Sequence, residues 1–65
     1  MEDRDYKKFV KIKVHYMADK VMPSYNETFE YGHDRKHEGF LYISIRGLII
    51  TINMQCVWKV ETWRE

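Results

Sequence analysis

Four residues in one short stretch carry the donor types that bind zinc or nickel: His33 and His37, spaced four apart, with Asp34 and Glu38 beside them. That spacing brings two imidazoles together only on a helix. The segment Gly32 to Glu38, closed by Gly39, reads instead as a polar loop with no apolar residue to anchor it to a core. A tight site would also need a third ligand. Cys56 is the one soft candidate, and its place in the apolar series Ile52, Met54, Cys56, Trp58 points it inward, where a free thiol behaves as a small hydrophobe. The expectation is solvated histidines, a buried structural thiol, no metal and no other cofactor, with a weak surface metal site at the histidine pair as the alternative.

Cys56 with a histidine would also make a nucleophile and its base, but no orienting third group or oxyanion-hole glycine motif accompanies them. No phosphate-binding glycine loop, dinucleotide fingerprint or catalytic carboxylate pair is present. The chain is therefore expected not to be an enzyme. Two surfaces remain on which a function could sit. Phe9, Lys11, Lys13 and His15 alternate with apolar residues along the first strand, and Tyr42 and Arg46 extend the set, the mixture with which small β domains stack bases and track phosphates of single-stranded nucleic acid. Alternating lysine is equally the ordinary way to solvate a strand and guard an edge. Five Tyr, two Trp and three Phe are too many for so small a core, so some must be exposed. Tyr31, Trp63 and Arg64 have the composition of a protein-binding anchor, unless Trp63 folds back to cap the core.

The elements that must position these residues are strands. Lys8 to Tyr16 alternates with period two, placing Val10, Ile12, Val14 and Tyr16 on one side and Phe9, Lys11, Lys13 and His15 on the other. Residues 17–23, with Pro23, form a loop or short helical turn. Tyr25 to Tyr31 is a second strand, and Phe40 to Ile45 a third. A two-residue turn at Arg46-Gly47 pairs Ile45 with Leu48, Ile43 with Ile50 and Leu41 with Ile52, keeping the aliphatics on one face. The alternation then runs from Leu48 to about Val60, long enough that this strand must bend or serve two sheets in turn. No segment has the period of a ten-residue amphipathic helix. With no helix to cover its apolar face, an antiparallel sheet of four to five strands must curl into a small barrel of the SH3 or OB kind, or pair with a second copy.

Sixty-five residues make one domain, residues 1–65, of marginal stability. A single cysteine excludes an internal disulfide and suits a reducing compartment. The charged start from Met1 to Asp5 is not a secretory leader, and Leu48 to Ile52 is far too short to span a bilayer, so a cytoplasmic protein without a membrane span is expected. A net charge of +1 gives no overall drive toward nucleic acid. By elimination the expected function is a small protein-interaction module with a protein partner. From size alone it would be a phage-type regulator or inhibitor. A single-stranded nucleic-acid binder and a homodimeric structural protein are the alternatives.

Overall fold

β-Branched residues at alternate positions hold the first strand extended, and in a computed structural model β1 covers Lys7–Tyr16. The structure describes residues 5–18, 20, 21 and 23–64, so the charged segment Met1 to Arg4 lies outside the described residues. Four more strands follow: β2 (Tyr25–His37), β3 (Phe40–Ile45), β4 (Leu48–Asn53) and β5 (Val57–Trp63), with a 3-10 turn at Met54–Cys56. All pair antiparallel in one sheet of order β4-β3-β2-β1-β5.

The loop expected from Gly32 to Gly39 is instead the second half of β2. Its polar sequence arises because His33 and His37 are exposed, Arg35 lies between the rings of Tyr6 and Tyr42, and Asp34 and Lys36 alternate toward the other side. What remains of the loop is Glu38-Gly39, with φ of 50° and 81°, matched by Arg46-Gly47 with φ of 52° and 81°. Two consecutive positive φ values are the type I′ geometry whose twist suits a tight hairpin. The β3–β4 register has Ile45 opposite Leu48, Ile43 opposite Ile50 and Leu41 opposite Ile52, as the pattern of aliphatics requires.

The outward placement of Phe9 is also corrected. Phe9 is 1% exposed and belongs to the core with Ile12 and Val14, three and five residues further on, so β1 changes the side it buries near Val10. β2 does the same directly across. Phe9 pairs with Gly32 and Lys11 with Glu30, and between them Tyr31 has a φ of 57°. A left-handed residue in mid-strand rotates the following side chains, which lets both strands bend together. Gly32 answers to this bend. A Cβ there would stand 2.6 Å from the Ser44 carbonyl oxygen, 2.8 Å from Ile45 Cγ1 and 3.1 Å from Phe9 Cζ. The Phe9 ring fills the space that a side chain on residue 32 would need.

Around Phe9, Ile12, Val14, Leu41, Ile43 and Ile52 pack Tyr16, Phe29, Ile45, Ile50, Met54, Val57 and Val60. Ile50 and Ile52 come from one end of the strand order, Val57 and Val60 from the other, so the sheet curls over a single core. No ladder joins β4 to β5 among the described residues, and the sheet is open.

The long C-terminal alternation is interrupted by the 3-10 turn. Asn53 Oδ1 accepts the Gln55 N–H at 2.9 Å, the Met54 N–H donates to the Gly39 carbonyl at 2.9 Å, and the Met17 N–H donates to the Cys56 carbonyl at 2.9 Å. These bonds carry the chain from one side of the sheet to the other. They also break the period of two, so Cys56 is exposed rather than buried, and Trp58, expected inside, is 60% exposed. Trp58 is the extra residue of a bulge in which Tyr16 pairs with Val57 and His15 with Lys59.

Candidate functional site

Lys11, Lys13 and His15 share the outer face of β1, where β5 brings Trp63, Glu61 and Lys59 alongside them. Lys11 Nζ lies 4.3 Å from the centre of the Trp63 ring, a cation–π contact. His15 donates from Nε2 to Glu61 Oε1 at 2.7 Å, and its ring meets that of Trp58 at 5.2 Å. The hydrogen bond from His15 holds the Glu61 carboxyl below its usual range, with Lys59 and Lys13 adding to the effect and partial desolvation opposing it. The face thus carries cations interleaved with two indoles, and Glu30 and Glu61 moderate its charge.

The remaining members of the sequence-derived nucleic-acid set do not join this face. Phe9 is in the core. Tyr42 lies opposite Arg35 across the β2–β3 ladder, with the guanidinium 5.4 Å from its ring and 5.6 Å from that of Tyr6. Arg46 sits at the tip of the β3–β4 hairpin.

The residues expected to anchor a protein partner are also dispersed. Tyr31 is 75% exposed at the bend of β2. Trp63 lies beneath Lys11 outside the core cluster rather than over it. Arg64 reaches Asp34, donating from Nη1 at 2.9 Å and Nη2 at 3.2 Å, and Nη1 also donates to the Lys8 carbonyl at 3.0 Å. This fork-to-carboxylate pair satisfies Asp34, which is only 7% exposed. It ties the end of β5 to β2.

His33 and His37 lie four residues apart on a strand, roughly 13 Å, too far to share one ion. Among the described residues no group of three or more His, Cys, Asp or Glu side chains is placed to hold a metal. No helix among them is long and apolar enough to cross a membrane.

A further surface has no counterpart in the residue-by-residue reading. β4, with the sequence Leu48-Ile-Ile-Thr-Ile-Asn53, is an edge strand carrying no charge and no proline. Its other side pairs with β3, and Leu48 and Ile49 are 70% and 52% exposed. The opposite edge, β5, carries Lys59, Glu61 and a bulge, which are devices that discourage pairing with another strand. The signal for β4 was present as an uncharged run, but only the strand order shows that the run lies at an edge. No family model, curated protein or solved structure matches this chain.

Proposed function

We propose that this chain is a small, non-enzymatic protein-interaction module that accepts an extended segment of a partner protein as an added strand along β4. The observation that carries this reading is the uncharged edge of β4, without a ladder partner on its outer side among the described residues, with Leu48 and Ile49 exposed beside it. A six-residue edge spans roughly 20 Å and offers roughly six outward main-chain hydrogen bonds, with alternate side chains left to give specificity. The curl of the sheet over one core supports a partly open barrel of the SH3 or OB kind, rigid enough to present that edge without rearrangement.

The test is selection of extended peptides on the full chain, followed by amide hydrogen exchange of the complex. Protection of β4 amides is expected, with binding weakened at least about tenfold by Ile49→Lys combined with Thr51→Lys, two like charges on one face of the edge. Protection elsewhere, or indifference to the lysines, would remove β4 as the site. Light scattering on the free chain completes the test: a dimer dissolved by the same substitutions would mean that a second copy supplies the strand.

A second reading, single-stranded nucleic acid laid across the outer face of β1 and β5, draws support from Trp58 and Trp63 among Lys11, Lys13 and Lys59. It requires binding that falls steeply with salt and is lost on Lys11→Glu with Lys13→Glu.

A further inference from the structure

β1 stops at Lys7, opposite Asp34, whereas β2 continues to His37 with β3 as its neighbour on one side. Among the described residues no ladder partner lies on the other side of Arg35, Lys36 and His37. A cleft of 460 Å³ opens there, lined by these three residues with Asp5, Lys7, Asp34 and Arg64. Its charge is one-sided. Four permanent cations (Lys7, Arg35, Lys36 and Arg64) face two carboxylates, leaving two positive charges with His37 neutral.

Both carboxylates stand beside arginines. Asp34 is held by both terminal nitrogens of Arg64, and Asp5 Oδ2 stands 4.0 Å from Arg35 Nη1. Among the described residues Arg64 uses three of its five donors, two on Asp34 and one on the Lys8 carbonyl. Arg35 lies between the rings of Tyr6 and Tyr42, and its Nε is buried with no hydrogen-bond partner among the described residues. A buried donor normally has an acceptor. Lys7 and Lys36 are exposed at the rim.

From this geometry we infer that the cleft is a binding site for a dianionic phosphate monoester, whose two charges balance the surplus on Lys7, Lys36 and the two arginines. The volume exceeds what a bare phosphate requires and lies within the range of small-ligand sites, so the group bearing the phosphate enters with it. Arginine forks and ammonium groups are the usual recognition elements for such an anion. Asp34 acts as a positioning residue by orienting Arg64. The site is separate from the β4 edge, and its fate in experiment is independent of that reading.

The experiment is an NMR titration of the full chain at fixed ionic strength with inorganic phosphate, phenyl phosphate and the monoanionic diester dimethyl phosphate. Saturable shifts confined to Asp5, Lys7, Asp34–His37 and Arg64, tighter for phenyl phosphate than for inorganic phosphate and at least tenfold weaker for the diester, are expected. Lys7→Ala with Lys36→Ala should weaken phenyl phosphate at least tenfold while leaving the melting temperature unchanged, since both side chains are exposed. Linear, non-saturating shifts, an equal response to the diester, or full binding by the double variant would overturn the inference.

Discussion

Replacing Gly32 by Ala tests the account of the bend most directly. The added methyl would meet a backbone carbonyl at 2.6 Å and two side-chain atoms at 2.8 and 3.1 Å. Ile45 and Phe9 can yield by a few tenths of an ångström, but the Ser44 carbonyl belongs to the residue paired with His33 in the β2–β3 ladder and moves only with β3. Overpacking of this kind costs about 1–3 kcal/mol, and contact with backbone puts this site at the upper end, about 3 kcal/mol. A domain of this length is stabilised by roughly 3–10 kcal/mol in all. The melting temperature should therefore fall by roughly 12–24 °C, read by circular dichroism. Gly39→Ala is the control. Nothing lies within 4 Å of a Cβ there, so its destabilisation, about 1–2 kcal/mol, comes from φ alone. Phe9→Leu should couple favourably to Gly32→Ala by roughly 0.5 kcal/mol or more in a double-mutant cycle and should not couple to Gly39→Ala. A Gly32→Ala protein melting within about 3 °C of the parent would refute the packing argument.

Arg46→Asn places a side chain that tolerates the left-handed conformation before Gly47, and should stabilise the chain by about 0.5–1 kcal/mol in urea unfolding. Tyr16 donates to Glu27 Oε1 at 2.9 Å, and burial, then that bond, raises its hydroxyl pKa well above the ordinary value. Stability from this group is complete below the unfolded tyrosine pKa, roughly 10, and declines at higher pH; Tyr16→Phe should flatten the alkaline loss seen in melting curves. The lowered carboxyl of Glu61 has the opposite sign. Its contribution is present above the ordinary carboxylate range and disappears as pH falls through the folded value, so Glu61→Gln should show a shallower loss of melting temperature than the parent between roughly pH 6 and pH 2.

The β3–β4 hairpin was legible because large aliphatics alternate on both sides of Arg46-Gly47 and a slip of one residue would turn them outward. The second half of β2 was not, because its residues line a polar cleft beyond the end of β1 and carry no apolar signal. The change of buried side in β1 was hidden by the adjacency of Phe9 and Val10: with both residues apolar, the alternation appears to run through. At Asn53 the sign of a break was available, since asparagine favours caps over strands, but the apolar run on either side outweighed it. The face shared by Lys11, Lys13 and His15 followed from periodicity. Its partners on β5, and the pairing of Asp34 with Arg64, depend on a contact between distant parts of the chain.

That distant contact has a consequence for how the chain folds. β1 through β4 form successive hairpins, which close in roughly 1–10 μs. β5 must return past all of them to reach β1, a non-local pairing typical of domains that fold in milliseconds to seconds. Until it docks, β1 is itself an open edge beside Ile12 and Val14, a second place where another nascent chain could pair. Lys11 and Lys13, alternating along that strand, are placed to keep such encounters apart by mutual repulsion. The same two side chains that later meet Trp63 and Glu61 thus act first as guards, during the interval before the last strand arrives.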